Sequence, residues 1–488
     1  MTGPQREIDI ATRFLAGDTS ERMDLLRDEG ATLELQRLLG PTAFSDLSAL
    51  AATTGGWHLA DDGPTNLVFV PGVMGSALAS EGIGGIWWID YRSRNRIDDL
   101  GLSADGLADT HAAFRITPVA VDSSYEGFLV AAVRQDGIHH IPFPYDWRKP
   151  LLMSADRLYE RMLAERDQGP GQNPIHLVAH SMGGLVVRTA LMRHPEMWRH
   201  VGKIVFVGTP HYGAPAIGGY LKNHLWGFDV LFLIGRYLSR NTFRSLWGVL
   251  GLLPAPVDVY PETSTSGGAV PDAAEYPHPC ANFDLYSAPA WRLGLSPEEE
   301  ARLQAALDAA ARHHRDLHSW HESLDQNLRD RMAVIAGTGY RTLFRLAYVK
   351  RFGFRWEHMD RVTERIAGNP HREGDGRVPI ASARLKWTGE TRYVKGEHTR
   401  LPNLTSVQED VWRFLADRPM QLPTTPAAAL RGHLGEDPVA TGAWGPLGRT
   451  PDDPGYLDLA VPTRDVLADL EAALDAGRLP EFIHARLL

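Results

Sequence analysis

Residues 175–193 read IHLVAHSMGGLVVRTALMR. An apolar run of strand length passes, through one serine and two glycines, into a helix-period pattern that stops near Pro195. This junction constrains the fold more than any other stretch of the chain. A strand that turns directly into a helix holds Ser181 in a strained backbone and lifts its Oγ clear of the sheet. Small residues on either side let neighbouring strands approach. The start of the helix adds the positive end of a dipole. The pattern is G-x-S-x-G, written here Ala179-His180-Ser181-Met182-Gly183 with alanine in the first glycine position. The bland alternative is a coincidental strand-to-helix turn.

Further apolar runs end in loops. NLVFVPGVMG at 66–75 reads as a buried strand feeding a Pro-Gly turn, and KIVFVGTPHYGAP at 203–215 and MAVIAGTGYRT at 332–342 repeat the form. Strand, helix, strand at this spacing predicts right-handed crossovers and a mostly parallel sheet flanked by helices, an α/β fold. With 43% hydrophobic and 23% charged residues, the 488-residue chain can bury a large core. The expected segments are an N-terminal helical docking or capping piece (1–60), a first core part (61–215), an inserted cap or lid (216–331), a second core part (332–420) and a C-terminal extension (421–488).

A serine hydroxyl needs a base, and the base needs an orienting group. On the nucleophile-elbow scaffold these follow in the order serine, acid, histidine, each on a loop after a later strand. Asp375 lies between glycines in EGDGRVPIASA (373–383), ahead of a strand-like segment, and His398 follows a strand and a glycine in YVKGEHTRLPNL (393–404). Ser181 is therefore the expected nucleophile, His398 the base and acid, and Asp375 the orienting carboxylate. His180 is expected to point away from the nucleophile and to pack or hydrogen-bond. His371 and His211 are lesser candidates for the base, and Glu373 and Asp360 for the acid. The oxyanion requires backbone N–H donors, expected from Met182 and, in the PGVMG loop, Val73.

Five blocks together resemble the lecithin:cholesterol acyltransferase (LCAT) family, which includes lysosomal phospholipase A2 and related bacterial lipases. They are VPGVMGS with the following IWWID, FPYDWRKP at 143–150, HSMGG, GTGYRT at 337–342, and GDGRVP followed by EHTRLP. FPYDWR is the most specific, since the elbow alone occurs across α/β-hydrolases. The resemblance implies an α/β-hydrolase fold and serine-dependent acyl transfer from a lipid ester to water or an alcohol. It implies Ser181, Asp375 and His398 as the triad, with Val73 and Met182 as oxyanion donors. Many members of the family are secreted or lysosomal and carry a lid disulfide. This chain has one cysteine, Cys280, and cannot form one. Residues 1–60 and 420–488 match nothing in the family pattern.

Around this chemistry, Tyr145-Asp146-Trp147-Arg148 reads as an internal Asp–Arg pair fixing a loop, with substrate contact as the alternative. Trp87 and Trp88 are expected either to floor an acyl pocket or to pack the cap. LWGFDVLFLIGRYL (225–238) reads as a lid facing lipid or as a buried cap helix. YRTLFRLAYVKRFGFRWEHMDR (340–361) reads as the solvated face of a hairpin, or as a contact for anionic headgroups. His314, His318 and His321 share one helical face, expected to be an exposed polar face rather than a zinc site. The chemistry calls for no cofactor and no metal. A net charge of −10 argues against nucleic acid as a partner. The expected partner is a lipid or acyl-ester substrate, with peripheral contact to a lipid surface and a protein partner on the terminal segments left open. One cysteine, no apolar leader and no 18-residue apolar run point to a cytoplasmic protein. Two rivals stay open: a soluble esterase or thioesterase acting on small or carrier-bound acyl groups, and a catalytically silent interaction protein with this fold.

Overall fold

The computed structural model describes residues 3–53, 65–88, 91–135, 137–168, 174–222, 238–261, 277–340, 342–351, 355–362 and 374–431. The apolar runs form the centre. In chain order the strands are β1 (Thr65–Val70), β2 (Ser76–Ser80), β3 (Ile86–Trp88), β4 (Ile116–Val121), β5 (Ile138–Pro142), β6 (Ile175–His180), β7 (Val201–Val207), β8 (Met332–Thr338), β9 (Arg345–Arg351), β10 (Arg355–Val362) and β11 (Glu390–Lys395). Six of them build one sheet in the order β11-β8-β7-β6-β1-β5, and every pairing in it is parallel. Every residue of β8 is buried, as are the last four of β1, β6 and β7. Burial on both faces explains why these strands read as continuous apolar runs rather than as alternation.

The helices that flank this sheet in its first half are α5 (Glu126–Val133), α6 (Leu151–Gln168) and α7 (Met182–Arg193), and α8 (Pro215–Leu221) follows β7 and packs against β9. Ahead of them stand α1 (Gly3–Ala16), α2 (Thr19–Arg27), α3 (Thr32–Leu39) and α4 (Pro41–Thr53). These four share a core of Phe14, Met23, Leu35, Leu39 and Leu47, closed by Val130 and Val133 of α5. Arg22 crosses the junction. It is fully buried, its Nε donates to Phe14 O at 2.8 Å, and its Nη1 donates to His140 Nδ1 on β5 at 2.8 Å. Burial lowers the pKa of Arg22 to about 9, against the raising effect of Asp18 and Glu21. The N-terminal helices are thus locked to the sheet by packing and by a cation that has left water.

Beside the main sheet, β2 pairs antiparallel with β3 and β4. β9 and β10 form an antiparallel hairpin between β8 and the Asp375 loop. Its face is not wholly solvated as expected. Leu346 and Tyr348 are buried, Leu346 N–H donates to Cys280 O at 2.7 Å, and Tyr348 Oη–H to Trp291 O at 2.7 Å. The 278–291 segment therefore covers one edge and one face of β9.

Within 216–331, the longest element is the helix Pro297–Ser323. A capping box starts it, with Ser296 Oγ accepting Glu299 N–H and Glu299 Oε2 accepting Ser296 N–H. Its buried stripe runs Leu303, Ala306, Leu307, Ala310, Ala311, His314, Leu317 and His321. The histidine face is therefore not the exposed polar face expected. His314 and His321 continue the apolar stripe inward, where their Nε2–H groups donate to Leu253 O (3.0 Å) and Lys386 O (2.7 Å). No group of potential metal ligands stands among the described residues. The apolar run 225–238 lies outside the described residues except for Leu238, as do His371, Glu373 and the C-terminal stretch beyond Arg431. No helix among the described residues is long and apolar enough to cross a membrane.

Arg22 supplies a test of what joins the N-terminal helices to the sheet. Arg22→Ala removes both hydrogen bonds and the buried stem, and is expected to destabilise by about 3 kcal/mol. Arg22→Met keeps the stem and removes the desolvated charge, and should cost clearly less. Denaturant unfolding of both variants checks the order; equal losses would show that the charge itself holds the junction.

Candidate active site

β6 ends at His180 and α7 begins at Met182, so Ser181 is the hinge. Its backbone sits at φ 52°, ψ −127°, a region that a residue with a side chain adopts only under external constraint. The constraint is visible. Ser181 N–H donates to Val207 O of β7 at 3.0 Å, and Gly184 N–H returns to Ser181 O at 3.0 Å. The start of α7 presses on the end of β1 so closely that a Cβ at Gly183 would lie 2.4 Å from both Val70 O and Pro71 O. Only a residue without a side chain fits there.

The loops at the C-terminal ends of two other strands of this sheet bring two further side chains to Ser181. His398 follows β11, and its Nε2 lies 2.9 Å from Ser181 Oγ. Its Nδ1 lies 2.7 Å from Asp375 Oδ2. Asp375 is buried, and its Oδ1 accepts N–H bonds from Arg377 (2.9 Å) and Val378 (2.7 Å). With Oδ1 occupied, Oδ2 is left to face the imidazole. His398 N–H also donates to Asp375 O at 2.9 Å, joining the two loops through the backbone. The IASA stretch after Asp375 is one helical turn, Ile380–Ala383, rather than the strand-like segment expected, because Pro379 starts it and Asp375 ties down the residues before it. His211 is buried against Phe206 and Arg188, away from this line of bonds, and Asp360 lies on β10 opposite Ala347.

The loop after β1 closes the other side. A Cβ at Gly72 would lie 2.9 Å from Ser181 Cβ, so the loop backbone rests against the serine. Val73 follows in that loop. Met182 is the first residue of α7, so its N–H has no partner within the helix. Aromatic side chains fix the loop. Trp88 Nε1–H donates to Met74 O (2.9 Å), Tyr145 Oη–H to Pro71 O (3.0 Å) and Trp147 Nε1–H to Ser76 O (3.2 Å). Trp87, Trp88 and Tyr145, offered by the sequence as substrate contacts, are each 1% exposed. Trp88 and Tyr145 hold the carbonyls of the loop, whereas Trp87 donates to Gly84 O at 3.2 Å and packs its ring against Phe114.

Arg148 holds this support in turn. Its guanidinium is buried and bidentate to Asp146 (2.8 and 2.7 Å), and it reaches Asp109 Oδ1 (2.9 Å) and Leu100 O (3.0 Å). The Asp146 pairing was legible in YDWR. Asp109, nearly forty residues away in sequence, carries no local signal, and neither does Tyr125, which donates to His180 Nδ1 at 2.7 Å.

The sequence model of the lecithin:cholesterol acyltransferase family matches residues 134–257, a span that holds both the Tyr145–Arg148 loop and the Ser181 turn. The parallel sheet with its strand-to-helix serine turn is an α/β-hydrolase fold, and this segment of it is similar to the LCAT family. The chain is 27% identical, over 159 residues, to the uncharacterized protein YJR098C of Saccharomyces cerevisiae. That alignment covers 32% of this chain and 21% of the yeast protein, so the chain spans about a fifth of the length of the curated relative it matches. Solved structures similar to it include a chain of the Tle4–Tli4 complex, at 14% identity and TM-score 0.44, covering 73% of this chain and 98% of that one. Another is mature Bacillus licheniformis lipase BlEst2, at 15% identity and TM-score 0.31, covering 71% and 89%.

Several histidines of this chain are buried as neutral groups. Burial holds His313 and His321 down to about 3, and His176 and His314 down to about 4. Burial first, and then Arg22, His398 and Arg188 respectively, hold His140, His180 and His211 well below 6.5. In the unfolded chain all of them titrate near 6.5. Below that pH the unfolded state binds more protons, so stability is full above about 6.5 and falls as the pH drops. The melting temperature is expected to be lower at pH 5 than at pH 7.5, and a flat profile would contradict the buried neutral set. A second measurement concerns the elbow. Gly183→Ala places a methyl against backbone that cannot give way, and is expected to cost about 1–3 kcal/mol in chemical denaturation.

Proposed function

We propose that this chain is a serine-dependent acyl-transfer enzyme, acting on lipid carboxylic esters such as phospholipids or acylglycerols through an acyl–Ser181 intermediate. The observation that carries the reading is His398, whose two ring nitrogens lie within hydrogen-bond reach of Ser181 Oγ and Asp375 Oδ2. The carboxylate fixes the tautomer with the proton on Nδ1, so that Nε2 is free to accept.

In the first half-reaction Ser181 Oγ attacks the ester carbonyl as its proton passes to His398 Nε2. Asp375 offsets the charge of the imidazolium. The oxyanion takes the backbone N–H groups of Val73 and Met182, with the α7 dipole behind the second. The tetrahedral intermediate then expels the alcohol, which receives the proton from Nε2. In the second half, water or an acceptor alcohol gives a proton to Nε2 and attacks the acyl–serine. Ser181 leaves and recovers its proton. The same three side chains serve both acceptors, and no step requires a cofactor. The lipid class is drawn from the LCAT likeness.

Labelling with a fluorophosphonate, read by intact mass, tests the reading. One adduct is expected on the wild type and none on Ser181→Ala or His398→Ala. Asp375→Asn should lower the rate of ester hydrolysis by about 10⁴-fold, by favouring the wrong tautomer. A wild type that stays unlabelled with and without liposomes overturns the proposal. Hydrolysis of short soluble esters with no gain on phospholipid vesicles would retain the chemistry and reject the lipid substrate.

A further inference from the structure

Between the loop after β1 and the turn that carries His398 runs a line of hydrogen bonds that the chemistry above does not use. Gly72 N–H donates to Tyr125 Oη at 2.8 Å. Tyr125 Oη and His180 Nδ1 are 2.7 Å apart, and His180 Nε2 is 3.0 Å from the carbonyl oxygen of His398. The proton positions follow from the ends of the line. A carbonyl only accepts, so His180 Nε2 carries a hydrogen. In a neutral imidazole Nδ1 must then accept, and Tyr125 O–H is its donor. The Tyr125 oxygen is left to accept from Gly72. The line runs one way only, and a second proton on His180 would leave the buried Tyr125 hydroxyl hydrogen without an acceptor in it.

The loop is also moulded on Tyr125. A Cβ at Gly72 would lie 3.0 Å from Tyr125 Oη, and a Cβ at Gly75 would lie 2.8 Å from Tyr125 Cε2. The two glycines of PGVMG make room for this one ring. From the far end of the His398 turn, Asn403 reaches the same segment: its Nδ2 donates to Ser124 O (2.6 Å) and its Oδ1 accepts Phe128 N–H (2.9 Å).

We propose that Tyr125 and His180 are a pair of positioning residues, which fix the oxyanion-side loop and the His398 turn relative to each other, with His180 acting only as the neutral Nε2–H tautomer. This rests on the acyl-transfer reading for its kinetic consequence, but not for the protonation of His180. The groups facing His180 are Tyr125 and His398, and the far side of the His398 ring is held by Ser181 and Asp375. Burial and the neighbouring His398 both disfavour a charge on it. When His398 becomes an imidazolium during turnover, a charged His180 with its ring centre 4.8 Å away would oppose it.

The test compares Tyr125→Phe, His180→Gln and His180→Leu. Tyr125→Phe keeps the ring and breaks the line, and should lower kcat on a soluble ester about 10- to 100-fold with KM within about threefold. His180→Gln places a donor and an acceptor where the imidazole had them and should recover most of the rate, whereas His180→Leu should not, at similar melting temperatures. Full kcat in Tyr125→Phe, or equal losses in Gln and Leu that track melting temperature, would overturn the positioning role. Long-range ¹H–¹⁵N spectra of histidine-labelled protein, assigned with His180→Gln, read the tautomer independently. A neutral Nε2–H signal from pH 7.5 to 5.5 is expected, and protonation within that range would overturn the proposal. A wild type whose Ser181 never labels sinks the acyl-transfer reading alone, since the spectra still decide the state of His180.

Discussion

The contact between the start of α7 and the end of β1 sets the rest of the site. With no side chain at Gly183, the helix backbone comes within touching distance of Val70 O and Pro71 O. That proximity forces Ser181 into its positive-φ conformation and places the β1 loop directly against it. Every other part is then adjusted to this fixed point. The aromatic side chains beneath the loop hold its carbonyls, Arg148 holds the aromatic segment, and the two later loops bring Asp375 and His398 up to the serine. The strain at one residue persists because its surroundings leave it no alternative.

What could be read from the sequence follows the range of the forces involved. The parallel sheet and the serine turn were legible because local periodicity and small residues encode them. Ser181, Asp375 and His398 were found as candidates because each sits beside glycine or a strand end. The inward face of the helix Pro297–Ser323 was misread because His314 and His321 look polar. Their positions nonetheless extend the stripe of Leu303, Leu307 and Ala310, and the acceptors that make their burial tolerable, Leu253 O and Lys386 O, lie far away in sequence. Trp87 and Trp88 were ambiguous for the same reason: aromatic residues near a site are equally suited to lining it and to supporting it. Tyr125 left no mark at all, since nothing in SSYEGF announces a partner at Gly72 or His180.

The molecule also keeps cations and histidines out of water without a carboxylate at every one. Among the described residues, Arg188 on α7 reaches carbonyls and a ring nitrogen, at His211 and Leu317, and Arg22 reaches a carbonyl and a ring nitrogen in the same manner. Such groups are held by geometry more than by charge pairing, and their burial favours the neutral form of each histidine nearby. The Asp146–Arg148–Asp109 cluster is the opposite case, with opposite charges matched inside the core.

The β9–β10 hairpin leaves the main sheet after β8, and the chain returns at Asp375. The stalk of this excursion is clamped: Tyr340 N–H donates to Gly374 O at 3.1 Å, and Gly376 N–H to Thr342 Oγ1 at 2.9 Å. The carboxylate is therefore positioned by the neck of the loop and not by its body. Because the entropy of closing a loop grows only slowly with its length, residues can be added or lost beyond the packed strand β9 at little cost to the position of the acid. The acid and the surface above it can then diverge on separate schedules, one held to ångströms and the other open to remodelling.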